Sequence, residues 1–351
     1  MGFVLFDGAS SMKSLWIGFC LSLLVVAGSG VQFLSARADL AFDHWVAAFW
    51  PRAANAGVSA DVYQTALRGV TPDPAVLRAA DNQAEFVRAI WDYLDRAVSQ
   101  NRVETGRQKR LLFKDDLARI EEKWGVDGDV LVAIWGVESS YGGILDNPEI
   151  VKNTITSLAT LAFQGGRWEN FGSNQLIAAL KILQNGDVGA DKMTGSWAGA
   201  MGHMQFIPTT YLAYAVDYDA DGKRDIWQSP LDALASAANY LAKSGWQRGK
   251  KWGYEVQLPD NFDFTLADGQ RLQTFNEWRS LGVKNAMGDV LPSFDDTARL
   301  FLPAGAQGPA FLLFANFDVI KRYNNANAYA LAIGHLSDRL KGDGPILAEW
   351  P

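Results

Sequence analysis

Two clusters of residues in this chain have the types and spacing to do chemistry. The first is the run Val130-Leu131-Val132-Ala133-Ile134-Trp135-Gly136-Val137-Glu138-Ser139-Ser140-Tyr141-Gly142-Gly143. Apolar residues fill almost every position up to Val137, which predicts a helix buried nearly all round. Asp127 or Asp129 can cap its start, and Gly142 with Gly143 supplies a left-handed stop. Glu138 then shares a face with Ile134 and Trp135 and sits in the last turn. Burial disfavours the charged carboxylate, and so does the negative end of the helix dipole. Both raise the pKa, as a general acid working near neutral pH requires. The competing reading is a structural glutamate that bonds nearby donors or reaches solvent.

The second cluster is Asp217-Tyr218-Asp219-Ala220-Asp221-Gly222-Lys223-Arg224-Asp225-Ile226-Trp227. Oxygen ligands at positions one, three and five, glycine at six and the Lys223 backbone carbonyl at seven resemble the start of an EF-hand. Position twelve, a bidentate glutamate in a standard loop, is Gln228. Three carboxylates so close repel one another unless a cation intervenes. Calcium is the expected ion, in a structural role, because chemistry at Glu138 needs no metal. Sodium, or a polar turn with no ion, remains the alternative.

The elements that must position these clusters are mostly helical. Residues from about Leu40 to Trp124 read as helices. Val58-Ser59-Ala60-Asp61 precedes Val62, Ala66 and Leu67, and Asn82 to Val98 carries Phe86, Ile90, Trp91 and Leu94 at helical spacing. The pattern continues from Val126 to Tyr240, broken by glycine-rich turns. From about Trp252 it changes. Tyr254 to Leu258 alternates, Pro259 and Asp260-Asn261 break it, and Ala310 to Phe314 is a short apolar run, so a small strand-rich insert is predicted to about Phe314. Phe317 to Leu340 returns to helix through Ile320, Tyr323, Ala330, Ile333 and Leu336. The fold class is mainly α, with α+β character from the insert. The expected organisation is a targeting segment at 1–38, an N-terminal helical subdomain at 39–124 and a core at 125–250 carrying both clusters. A β-rich insert at 251–315 follows, then a helix at 316–345 that returns to the core.

Composition excludes several classes. At 351 residues, 48% hydrophobic and 20% charged, the chain is ordinary globular protein. Its 32 basic and 39 acidic residues, net −7, argue against nucleic-acid binding. The single cysteine, Cys20, excludes a disulfide framework and a zinc–cysteine site, and three histidines argue against a multi-histidine centre. Thirteen tryptophans are either core residues or platforms for flat ligands such as sugar rings. At the N-terminus Met12-Lys13 opens a second start. The apolar run Leu15 to Gly28 and the Ser35-Ala36-Arg37-Ala38 cleavage site complete the pattern of a secretory signal peptide. The run is short for a membrane span, though an uncleaved anchor is the competing reading. Phe19 before Cys20 does not fit a lipoprotein box. Cleavage after Ala38 leaves a soluble exported chain without cysteine, periplasmic in a Gram-negative source.

Glu138-Ser139-Ser140-Tyr141-Gly142 resembles the Glu-Ser-x-Tyr-Gly motif of lytic murein transglycosylases, and later segments resemble their B-type branch. Ala159-Thr160-Leu161-Ala162-Phe163 with Arg167 is similar to its following helix. Gly195 to Pro208 is similar to its Ser-x-Ala-Gly-Ala-Met-Gly-x-x-Gln-Phe-x-Pro block. Asn239-Tyr240, and Arg322-Tyr323-Asn324 through Tyr329, match two later blocks. The resemblance covers about Ala41 to Leu340. It implies a lysozyme-like catalytic core and cleavage of the β-1,4 bond between N-acetylmuramic acid and N-acetylglucosamine in peptidoglycan. In this family the muramic C6 hydroxyl, not water, attacks the anomeric carbon and leaves a 1,6-anhydro end. One glutamate serves as acid and then base, and the substrate N-acetyl group replaces the second carboxylate of an ordinary glycosidase. Glu138, with no obvious partner carboxylate, fits that role.

By the same resemblance Ser196 and Gln205 line sugar subsites, and Tyr323, Asn324 and Tyr329 close the groove opposite the glutamate. Tyr240 stacks on or bonds substrate. Arg167 holds a peptide or lactyl carboxylate, although Trp168 stands where a second basic residue often follows. The competing reading of Tyr323 and Tyr329 is as core residues of a helix. Gly199, Ala200 and Gly202 either let the backbone approach a sugar ring or make a tight turn. Some B-type members close a longer metal loop with a later aspartate, here Asp232. The implied partners are peptidoglycan glycan strands and, among proteins, cell-wall synthases. A monomer, no nucleic acid and no catalytic cofactor are expected. The rival readings are a hydrolytic muramidase on the same fold and a non-catalytic peptidoglycan-binding protein.

Overall fold

The computed structural model of the chain describes residues 28–81, 89–293 and 296–351. Met12-Lys13 and Cys20 of the expected targeting segment lie outside the described residues, as do positions 82–88 of the helix expected over 82–98. Helix α1 (Gly28–Asn55) runs through the expected cleavage site. Among the described residues no helix is long and apolar enough to cross a membrane.

Short helices with local start signals follow. α2 (Ala60–Leu67) begins at Ser59, whose hydroxyl accepts from the Val62 amide at 3.3 Å. α3 (Pro74–Asp81), α4 (Ile90–Ala97), α5 (Gln100–Leu112) and α6 (Lys114–Trp124) succeed it, and Gly125 at φ 73° stops α6. α7 (Gly128–Ser139) is the apolar helix expected around Val130. Neither expected cap forms a side-chain cap there: the Gly128 amide instead donates to the Glu121 carboxylate at 3.1 Å. Asp129 pairs with Arg110, and Asp127 faces Lys341 at 3.6 Å.

A two-residue ribbon of β1 (Lys152–Asn153) and β2 (Thr194–Gly195) brackets the packed pair α8 (Thr154–Gln164) and α9 (Glu169–Asn185). α10 (Pro208–Tyr214) and α11 (Pro230–Lys243) complete the middle of the chain. The insert holds β3 (Gly253–Gln257), β4 (Gln273–Thr274), α12 (Phe275–Ser280), β5 (Lys284–Asn285), β6 (Thr297–Phe301) and β7 (Ala310–Leu313). Its strands form an antiparallel sheet in the order β4-β6-β7-β3-β5. Val256, Phe275, Trp278, Leu300 and Leu312 give the insert an apolar core of its own.

The helix expected over 317–340 is two: α13 (Ala315–Tyr323) and α14 (Asn327–Lys341). The Asn324-Asn325 pair between them favours a break, because short polar side chains compete for backbone hydrogen bonds. α7 packs against α5, α6, α11 and α14. Leu131, Val132, Ala133 and Ile134 have no exposed surface. Each large apolar side chain so buried contributes about 1.5–3 kcal/mol. One apolar core runs from Phe42 to Leu340, so α1 and α2 pack onto the same mass as the helix that ends in Glu138.

Candidate active site

Glu138 occupies the last turn of α7, part-buried, where the core meets α14. The break before α14 directs Tyr329 at it, and the tyrosine hydroxyl donates to Glu138 Oε1 at 2.6 Å. Tyr323, from the end of α13, lies parallel to Tyr329 with ring centroids 6.4 Å apart at 10°. Its hydroxyl donates to the Met204 carbonyl at 2.6 Å. Desolvation pushes the Glu138 carboxyl up to about 7, against the lowering effect of the Tyr329 bond. The charge of Glu138 in turn helps hold the Tyr93, Tyr323 and Tyr329 hydroxyls above their ordinary range, where burial is the main cause. No other carboxylate among the described residues contributes to the upward shift of Glu138. The arrangement is one carboxylic acid, raised to about 7 by burial, with tyrosines around it.

The turn after Glu138 departs from expectation. Ser140 (φ 51°) and Tyr141 (φ 60°) enter the left-handed region before Gly142 (φ 87°) does. Such a conformation costs a non-glycine residue about 1–2 kcal/mol. Tertiary bonds offset it. The Ser139 hydroxyl donates to the His203 carbonyl at 2.7 Å and accepts from the Gly142 amide at 3.0 Å. The Tyr141 hydroxyl donates to the Arg102 carbonyl at 2.8 Å. Glycine at 136 makes room for that phenol, since a Cβ there would fall 2.6 Å from its oxygen.

The expected substrate-binding residues fall into two groups. Tyr329 touches Glu138, and Tyr323 stacks on Tyr329. Gln205, at φ 49° and part-buried, donates to the Gly202 carbonyl at 2.9 Å next to Met204. Asn324 caps the end of α13. The others brace the scaffold. Tyr240 donates to the Arg322 carbonyl at 2.5 Å and meets Tyr323 edge-on at 5.1 Å. Ser196 is buried, and its oxygen accepts from the Ala198 and Ala200 amides at 3.3 and 3.1 Å. Arg167 donates to the Ala80 carbonyl of α3 at 2.7 Å and lies over the Trp168 ring. Gly199 and Gly202 pack closely on protein: a Cβ would fall 2.7 Å from Leu158 and 2.3 Å from the Ile226 carbonyl oxygen. Their left-handed φ values, 79° and 64°, make the tight turn. Two residues escaped the sequence reading. Tyr93 lies between Ile90 and Ala97 on α4 at spacings of three and four, a polar-tipped aromatic on the packed face. His203, 8% exposed, accepts the Trp135 indole proton.

The acidic loop lies between α10 and α11. Carboxylate oxygens of Asp217, Asp219 and Asp221 lie within 4.8 Å of one another. The Asp217 Oδ2, Asp219 Oδ1 and Asp221 Oδ1 atoms accept amides of their own loop. Asp217 Oδ1 is buried and accepts no hydrogen bond. Asp232, fully buried in the first turn of α11, ties the loop ends together: its two oxygens accept from the Tyr218 amide at 2.9 Å and the Asp225 amide at 2.8 Å. Burial raises its pKa to about 6, and the charges of Asp219 and Asp217 add to that. Gln228 does not close the loop; its amide donates to Asp225 at 2.8 Å as the chain turns into α11. An all-oxygen set with an orphaned buried carboxylate oxygen suits a hard cation such as calcium.

The transglycosylase SLT domain family matches residues 41–338. The membrane-bound lytic murein transglycosylase B of Escherichia coli is 29% identical over 276 residues, 75% of this chain and 73% of that protein. SltB3 from Pseudomonas aeruginosa, crystallised in complex with NAG-anhNAM-pentapeptide, superposes with a TM-score of 0.84 at 50% identity, covering 88% of this chain and 82% of its own. The Escherichia coli lytic transglycosylase Slt35 in complex with calcium gives 0.68 at 27% identity, covering 84% and 92%.

Proposed function

The chain belongs to the transglycosylase SLT domain family and is a lytic murein transglycosylase of lysozyme-like fold, and on that premise we propose that Glu138 is its acid and base in cleaving the MurNAc–GlcNAc bond without water. The observation that carries the reading is the isolated carboxyl at about 7 with Tyr329 on one oxygen. Protonated Glu138 gives its proton to the glycosidic oxygen as the bond to the muramic C1 breaks. The substrate N-acetyl oxygen supports that carbon in place of a second carboxylate. The Glu138 carboxylate then takes the proton of the muramic C6 hydroxyl, whose oxygen bonds to C1. The 1,6-anhydro end forms and Glu138 is protonated again. A pKa near neutral suits one group to both transfers. The complex of SltB3 with NAG-anhNAM-pentapeptide supports an anhydro product.

In this reading Gln205, Tyr323, Asn324 and Tyr329 contact sugar, while Ser196, Tyr240 and Arg167 serve the groove through the elements they hold. Calcium is held by Asp217, Asp219, Asp221, the Lys223 carbonyl and Asp232, and its role is to neutralise the loop. The calcium complex of Slt35 supports this assignment. Export to the periplasm places the enzyme with glycan strands, and cell-wall synthases are the protein partners proposed. Mass spectrometry of soluble products from purified peptidoglycan tests the chemistry. Muropeptides lighter than the hydrolytic product by one water, absent with Glu138→Gln, are expected. Reducing-end products would identify a hydrolase, and no products from either protein a binding role.

A further inference from the structure

His203 fills one of the two unspecified positions of the Met-Gly-x-x-Gln block, and the proposed chemistry does not use it. Its Nδ1 accepts the Trp135 indole N–H at 3.0 Å, and the two rings meet edge to face with centroids 5.5 Å apart. An accepting Nδ1 leaves the ring proton on Nε2. The imidazole stays neutral while Glu138 works, because burial lowers its pKa to about 4, with the Asp225 charge opposing and the Lys109 charge assisting. A protonated ring would set an N–H against the indole N–H. The Cε1–Nδ1 edge of the ring packs on Gly142, where a Cβ would fall 2.5 Å from Cε1 and 2.7 Å from Nδ1. Its main chain extends the same contact. The His203 carbonyl accepts the Ser139 hydroxyl at 2.7 Å, and its amide donates to the Ile226 carbonyl at 2.9 Å. One side chain thus touches α7 just before Glu138 and the left-handed turn just after it.

We propose that His203 is a positioning residue for Glu138: its neutral imidazole clamps Trp135 and the turn at Gly142, and so fixes the carboxyl against Tyr329. The proposal rests on the reading of Glu138 as acid and base. A displaced acid loses rate more than binding, and a misplacement of about 1 Å can cost about 100-fold.

The test is steady-state kinetics of the full chain on a soluble NAG–NAM oligosaccharide, with Glu138→Gln as control. His203→Phe keeps a flat ring and removes the acceptor. It should lower kcat about 10- to 100-fold with KM within about twofold. His203→Asn places an oxygen where Nδ1 lies and should restore kcat to within about threefold of the unaltered protein. Trp135→Phe removes the donor and should match His203→Phe, with the double variant no worse than the poorer single. Unaltered kcat in His203→Phe or Trp135→Phe, with only a lower Tm, would overturn the proposal. Should His203→Phe not fold, Trp135→Phe decides alone. An active Glu138→Gln protein would instead remove the reading beneath it, so the two failures are distinct.

Discussion

At the end of α7 one carboxyl stands among tyrosines; in the loop before α11 three carboxylates stand with oxygens within 4.8 Å of one another. Desolvation dominates at the first site, and no neighbouring carboxylate adds to it. At the second, burial is again the main cause of the rise of Asp232 to about 6, but there the charges of Asp219 and Asp217 add to it. Isolation among neutral donors makes a carboxyl that can hold and release a proton near pH 7. Crowding with an orphaned oxygen makes a site that lacks positive charge. Both places use carboxylates, and the number of neighbours and access to water separate their chemistry. The sites are also adjacent in the backbone network, since the Ile226 carbonyl at the end of the loop accepts the His203 amide.

The largest effect that would break this contrast is on activity. Glu138→Gln keeps the shape of the side chain and removes its proton chemistry. Lytic activity on peptidoglycan should fall by about 10³-fold, within the range of general acid–base catalysis, with the circular dichroism spectrum unchanged. Residual activity near that of the unaltered protein would return Glu138 to a structural role.

The same substitution should stabilise the protein above neutral pH. A carboxyl raised from 4.5 to about 7 on folding binds more protons in the native state than in the unfolded one. Stability therefore falls as pH rises through that interval, by up to about 3 kcal/mol, and stays reduced above it. Glu138→Gln abolishes the loss, so its Tm should exceed that of the unaltered protein at pH 8 and match it more closely at pH 4.5. Equal Tm differences at both values would show that the folded protein does not raise this pKa.

Much of the first site is legible in the sequence, because it follows from local pattern. An unbroken apolar run ending in one glutamate predicts both burial and the raised pKa. The turn beyond it is not legible. Gly142 is left-handed as a stop requires, yet Ser140 and Tyr141 before it are left-handed too, in a turn held by the Ser139 bond to His203 and the Tyr141 bond to Arg102, which lie far away in the chain. Tyr93 is hidden for the same reason: only the packing of α4 against α14 brings it toward Glu138. For Gly199 and Gly202 spacing offers two readings, and only the fold shows that a Cβ at either would meet Leu158 or Ile226. The loop is legible in its aspartates, whereas the tie through both oxygens of Asp232 depends on where α11 begins.

Calcium is the next largest lever, and it acts on the second site alone. An ion that binds only the folded chain raises stability by about 2.7 kcal/mol at a hundred times its Kd. Tm should rise with calcium and fall back with a chelator, and Asp217→Ala with Asp221→Ala should erase the response. Those two substitutions should leave the pH dependence of Glu138 unmoved. No shift in the unaltered protein would show that the loop holds no calcium.

The smallest effect tests what the tyrosine adds to isolation. The Tyr329 hydroxyl donates to Glu138 Oε1 and so favours the ionised carboxyl, opposing desolvation. Tyr329→Phe removes that donor and keeps the ring stacked on Tyr323. The Glu138 pKa should then rise above about 7. The protonated acid persists to higher pH, so the descending limb of the kcat/KM profile should move upward. At the optimum the rate should fall by about tenfold or less, because a hydrogen bond to a charged group contributes about 1.5–3 kcal/mol and some of that is regained from water. A limb that moves downward would mean that Tyr329 stabilises the protonated acid. A limb that does not move would mean that burial alone sets the pKa, which would sharpen the contrast with a loop where neighbours help set it.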